Sequence, residues 1–218
     1  PVEFREMDFL SMPGSELDAF DLAILNENLG DFPTLVFGET AMPDCDHSVA
    51  GALEKAADYK RRFSLEFSPD ETINIGALEA VEKLCEAGVP YIYLSEHSCE
   101  ASFSDRNYPR LTFGPSPGPE KISLKGHYEY TIKFSHLERV ARSLGYRVMR
   151  GRYIDILPLG LNPKAQTALR APAAATEKQE IIQQFFYDLH KYEYLLLLNK
   201  DKTKDMKSSE KNRTADVT

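Results

Sequence analysis

Two short clusters in this chain carry side chains suited to chemistry on a bound molecule. The first, Asn26-Glu27-Asn28-Leu29-Gly30-Asp31, directly follows the apolar run Phe20-Asp21-Leu22-Ala23-Ile24-Leu25. The second, Ser95-Glu96-His97-Ser98-Cys99-Glu100, follows Val89-Pro90-Tyr91-Ile92-Tyr93-Leu94. Polar groups placed just after a buried strand are expected where water or a ligand reaches them, because burial without a partner costs roughly 2–7 kcal/mol. A carboxylate there can hold an amine or guanidinium in line, offset its charge, or act as a base. The plainer alternative for Asn26 and Glu27 is that both cap a following helix. A third candidate is Asp8, with Phe9 beside it, after the alternating segment Val2-Glu3-Phe4-Arg5-Glu6-Met7. Its plainer alternative is a loop acid that starts a turn.

Metal and thiol chemistry have weaker patterns. Glu96, His97 and Cys99, and separately Asp44, Cys45, Asp46 and His47, are ligand types, but neither cluster has the paired spacing of a zinc site. No metal is therefore expected, and His97 is read with Glu96 as lining the substrate side of a pocket. Cys99 has no accompanying Cys-His-Asn signature, and Cys85 falls on a helix face. No Gly-x-Ser-x-Gly elbow occurs, which removes the commonest α/β hydrolase arrangement.

The elements that must position these groups alternate. Residues 2–7 and 20–25 read as strands, the second as a continuous apolar run suited to burial on both faces. Val49 to Phe63 has helical spacing, interrupted after it by Ser68-Pro69-Asp70. Asn74 is placed to cap a helix carrying Ile75, Leu78, Val81 and Leu84, and Gly88 to stop it before the strand at 89–94. The Pro- and Gly-rich stretch 105–121 reads as an extended loop. Ser135 is placed to start a helix that Gly145 ends, with extended segments at 146–149 and 153–157. A Pro- and Ala-rich link over 158–176 leads to a helix from Glu177 to about Leu189, then a strand from Tyr192. The tail from 201 to 218 is polar and expected to be disordered. Strands alternating with helices predict an α/β sandwich with a largely parallel sheet, in which ligands sit beyond the carboxyl ends of the strands.

Composition bounds the function. The chain has 218 residues, 42% hydrophobic and 28% charged, enough for a buried core. Its net charge of -8 argues against generic binding to nucleic acid, which depends on neutralising phosphates. Three cysteines make no disulfide framework and point to a reducing, cytoplasmic setting. No apolar run approaches the roughly 20 residues needed to span a bilayer. Arg139, Arg142, Arg147, Arg150 and Arg152 are dense enough to be a docking face for an acidic partner or a solvated surface.

The order of units resembles the second half of a class I S-adenosylmethionine-dependent methyltransferase, a Rossmann-like sandwich. Glu6-Met7-Asp8-Phe9 resembles the family's adenine-contacting segment. Asn26, Glu27, Asp31 and Pro33 resemble the strand-end pattern of the MidA-like group, the mitochondrial complex I assembly protein-arginine methyltransferases. Tyr192 to Lys200 resembles the superfamily's terminal antiparallel strand. The resemblance covers most of residues 1–200 and rests on short motifs. It implies S-adenosylmethionine as cofactor, with Asp8, Phe9 and Asn26 facing it. Asn26 and Glu27 are the catalytic candidates, and Glu96 and His97 lie on the side of a methyl acceptor, a protein side chain being one that it allows. The family's Gly-rich turn and the acid after its ribose-binding strand are absent, and Glu96-His97-Ser98 stands where the MidA-like group has Asp-Tyr-Gly. The chain then reads as lacking the first strands of the fold and, by itself, as binding the cofactor weakly or not at all. The alternative is a catalytically incomplete binding or scaffolding domain that uses loop 105–121 as its contact surface.

Overall fold

A computed structural model describes residues 2–36, 49–68 and 70–202. In chain order the elements are α1 (Gly14–Leu17), β1 (Leu22–Asn26), α2 (Val49–Phe63), α3 (Ile75–Glu86), β2 (Tyr91–His97), β3 (Lys121–Ser123), β4 (Tyr128–Tyr130), α4 (Phe134–Ser143), β5 (Tyr146–Arg152), α5 (Pro163–Arg170), α6 (Glu177–Lys191) and β6 (Tyr192–Asn199). The fold is α/β. Four strands form one sheet in the order β1-β2-β6-β5, and β3 with β4 forms a separate hairpin.

The sheet corrects the expectation of a largely parallel one. Only β1 and β2 are parallel neighbours; β6 is antiparallel to both β2 and β5. The cause lies in the junction at Lys191, where α6 passes straight into β6 without a loop. The chain therefore enters the sheet beside His97, at the end of β2, and must run backwards along it, with Tyr192 opposite His97 and Leu198 opposite Tyr91. The strand last in sequence is thus antiparallel, as expected, but it lies inside the sheet. Its run Leu195-Leu196-Leu197-Leu198 suits a strand paired on both sides, and Leu195 and Leu197 are fully buried.

Residues 2–7 form no strand, contrary to expectation. Val2 and Phe4 lie exposed, and the segment has no pairing partner among the described residues. Alternation supplies a face for a strand but no hydrogen-bonding neighbour, and without one the pattern does not become a strand. The burial expected on both faces of β1 is also wrong. Leu22 and Ile24 are 51% and 62% exposed, because β1 is an edge strand and only Leu25 is fully turned into the core.

One face of the sheet is covered. Ile92, Leu94, Val148, Leu195 and Leu197 pack with α2, α3 and α4 around Leu78, Val81, Leu84, Phe134, Leu137 and Val140. The opposite face carries Leu22, Ile24, Tyr91, Tyr93, Leu196, Leu198 and Met149, all at least partly exposed. Among the described residues the sheet is therefore a two-layer arrangement and not a sandwich. A smaller cluster of Leu111, Leu169 and Phe186 holds α5 and α6 against the 3-10 turn at Pro109–Leu111.

The two glycine stops read from the sequence hold, whereas the two caps do not, and two other caps take their place. Thr176 caps α6 and Asn162 caps α5, a helix inside what reads as a plain link. Gly88 and Gly145 take the positive φ that ends α3 and α4. Residues 153–156 form a 3-10 turn and not an extended segment. Asn74 precedes α3 but does not cap it. Its amide donates to the Thr131 carbonyl and accepts from Lys133 N, so it pins the strand–helix junction of β4 and α4 instead. Ser135 is not the cap of α4; the carboxylate of Glu100, 35 residues earlier, accepts from its backbone N–H at 2.8 Å. Arg142, Arg150 and Arg152 pair with Glu138, with Glu193 and Glu100, and with Asp155, so the arginine group is largely spent inside the chain. Asp44, Cys45, Asp46, His47, Pro69 and the tail beyond residue 202 lie outside the described residues.

Candidate functional site

Parallel pairing of β1 with β2 puts their carboxyl ends side by side, with Asn26 opposite Ser95. This brings the two strand-end clusters together, as the crevice rule requires. Asn26 Oδ1 accepts from the hydroxyl of fully buried Ser95 at 2.6 Å. The backbone N–H of Glu27 donates to the Ser95 carbonyl at 3.0 Å. No helix follows β1 directly, so the capping alternative for Asn26 and Glu27 does not hold.

Glu27 is left-handed, with φ of 52°. A side chain with Cβ pays for that conformation, and such residues gather at functional sites. Its carboxylate makes no hydrogen bond or ion pair among the described residues, and the residue is exposed. The turn that Glu27 begins is then drawn under the β3–β4 hairpin. Tyr130 N donates to the Gly30 carbonyl at 3.0 Å, and a Cβ on Gly30 would stand 2.7 Å from the Tyr130 carbonyl oxygen. Pro33 lies against Gly76 of α3, whose N–H donates to the Pro33 carbonyl at 2.8 Å. Gly30 and Pro33 thus fix the path that sets Asp31 beside the hairpin.

The hairpin supplies a group that the sequence pattern did not single out, Glu129. Glu96 is 1% exposed; its carboxylate accepts from His97 N at 2.9 Å and from Gly30 N at 3.4 Å. His97 Nδ1 stands 3.6 Å from Glu96 Oε1 and 3.7 Å from Glu129 Oε1. The His97 ring packs on Tyr192 with centroids 3.9 Å apart. Asp31, His127 and Glu129 form an adjoining group at the surface. Burial raises the carboxyl pKa of Glu129, and the charges of Glu96 and Asp31 raise it further against the opposing histidines. Burial likewise raises the Tyr192 phenol, with Glu27, Glu96 and Glu129 adding to it. Four carboxylates thus converge on one crevice, which suits a cationic group.

Asp8 and Phe9 lie elsewhere. Asp8 caps the 3-10 turn Phe9–Ser11, accepting from Leu10 N at 3.0 Å and from the Ser11 hydroxyl at 2.6 Å. Phe9 stacks on Phe32. Both line a cavity of about 520 Å³ with Leu22, Ile24, Leu25 and Asn28, against the open side of β1. Asn28 belongs to both regions in sequence, and its Oδ1 is buried without a partner. The structure therefore groups Asn26, Glu27, Glu96 and His97, and sets Asp8 and Phe9 at the neighbouring cavity. Cys99 is buried and its thiol is pushed up to about 12, which removes the thiolate that nucleophilic attack needs.

Glu129 was missed because a lone acid in Tyr128-Glu129-Tyr130 carries no motif. The alternation of that short segment predicts only that Glu129 faces away from its two neighbours. Comparison with family models, with curated proteins and with solved structures gives no match to this chain.

Proposed function

We propose that this chain carries the acceptor side of an S-adenosylmethionine-dependent methyltransferase. The observation that supports the reading is the crevice at the joined carboxyl ends of β1 and β2, where Asn26, Glu27, Glu96 and His97 meet. Its acidic lining suits both a sulfonium donor and an amine or guanidinium acceptor. Glu27 would hold the nucleophile and offset its charge, and Asn26 would fix the floor of the site through Ser95. Asp8 and Phe9, at the cavity beside β1, would meet the adenine end of the donor. The resemblance of the Asn26-to-Pro33 segment to the MidA-like group gives the reaction class.

A second reading, a binding or scaffolding domain, is favoured by the exposed Leu22 and Ile24 on the open side of β1. The two separate in one experiment. Binding of S-adenosylmethionine is measured by calorimetry on this chain and on a version extended upstream, followed by transfer of labelled methyl to protein acceptors. The methyltransferase reading expects weak or no binding by the short chain, binding and transfer by the extended one, and loss of transfer in Glu27→Gln with folding intact. No binding in either version supports the scaffolding reading.

A further inference from the structure

We propose that Glu96, His97 and Glu129 form a binding site for a divalent transition-metal ion at the end of β2. The inference stands on the three side chains and does not depend on methyl transfer. Their donor atoms are mutually close, with Nδ1 of His97 at 3.6 Å and 3.7 Å from the two carboxylate oxygens. Two bonds of about 2.1 Å enclosing roughly 120° span such a separation, so one ion fits between them without a change of backbone. The same distances are too long for hydrogen bonds, and His97 Nδ1 is buried with no partner. An orphaned ring nitrogen aimed between two carboxylates requires an explanation, and a shared cation supplies one.

The electrostatics point the same way. The side chains of Glu96, Glu129 and His97 are 2%, 14% and 17% exposed. Among the described residues neither carboxylate has a Lys or Arg partner. The nearby cations Arg150 and Lys133 are committed to Glu193 and Glu100, and to Glu71. Burying two carboxylates unneutralised is costly, and a bound ion would offset both charges. Asp31 and His127, which share Glu129, stand at the surface and give a hydrated ion a first landing place.

The donor set decides the class of ion. One imidazole nitrogen and two carboxylate oxygens suit zinc, manganese or ferrous iron. Magnesium and calcium prefer oxygen alone, and no thiolate is present for soft ions. Spacing along the chain concealed the site, because Glu96 and His97 are adjacent while Glu129 arrives from the hairpin 32 residues later.

The test uses the chelator-treated 218-residue chain without S-adenosylmethionine, so its outcome is separable from the methyltransferase reading. Zn²⁺ is titrated by calorimetry, and Co²⁺ by the visible absorption of its bound form. One ion per chain is expected. His97→Ala and Glu129→Gln should each weaken binding by at least about tenfold, with circular dichroism unchanged. A Cys45→Ser, His47→Ala chain should bind as the parent does. Should His97→Ala fail to fold, Glu129→Gln together with His127→Ala decides: Glu129→Gln should lose the ion and His127→Ala, which leaves Glu96, His97 and Glu129 in place, should keep it, whereas loss in both would overturn the proposal. Absence of binding, binding that survives Glu129→Gln, or loss confined to the Cys45/His47 variant would overturn the proposal.

Discussion

Replacing Glu27 by glycine should make the protein more stable. The residue sits at φ of 52°, where a side chain with Cβ costs about 1–2 kcal/mol. Glycine removes that cost but loses about 0.5–1 kcal/mol through the greater freedom of the unfolded chain. The net expectation is a gain of roughly 0.5–1 kcal/mol, since the Glu27 side chain makes no hydrogen bond or ion pair among the described residues that would be lost. For a chain of this size that is a rise in melting temperature of about 1–4 °C. Glu27→Gln keeps the strained backbone and should stay within about 0.5 kcal/mol of the parent. The neighbouring Asn26→Ala should do the opposite of Glu27→Gly. It leaves the hydroxyl of fully buried Ser95 without its acceptor, at a cost of about 1–3 kcal/mol. Urea unfolding of the four proteins at neutral pH ranks them. A Glu27→Gly chain less stable than the parent by 1 kcal/mol or more would show that the carboxylate holds the fold. The strain would then carry no message about function.

Two further outcomes follow from the same geometry. Gly30→Ala brings a Cβ to 2.7 Å from the Tyr130 carbonyl oxygen, a backbone atom that cannot turn aside, and should cost about 1–3 kcal/mol. Its chemical shifts should move at Glu96 and Glu129, and a spectrum unchanged there would refute the role of Gly30 in placing the hairpin. His136 lies between the Glu66 carbonyl and the Phe67 ring. Burial first, then the charge of Lys133, lowers its pKa to about 4, against the opposing pull of Glu71 and Glu100. The unfolded chain binds this proton more readily, so the contribution is complete above pH 6.5 and is lost as pH falls towards 4. Urea midpoints of the parent and of His136→Gln between pH 7 and 4 should converge; parallel curves would show that His136 does not titrate in this way.

Much of the element order was legible because it depends on neighbours in sequence. The helical spacing of Val49–Phe63, the glycine stops at Gly88 and Gly145, and the helix start at Glu177 are local, and each holds in the fold. Asn26-Glu27 and Glu96-His97 were recognisable as candidates for the same reason: polar groups that abruptly end an apolar run mark a strand end.

Tertiary structure decided what those groups meet. Alternation in residues 2–7 could not provide a pairing partner, and the apolar run of β1 could not reveal that it would lie at an edge. The direction of β6 was set by its entry beside His97, and the α4 N-terminus found its acceptor in Glu100 and not in Ser135. The sequence alone determined that polar and acidic side chains would stand at the ends of two strands. Only the fold determined that those strands are parallel neighbours, and that a hairpin returns Glu129 to His97. Hydrophobic and helical periods record which way each residue faces, but the approach of distant segments is fixed by packing, which no local period encodes.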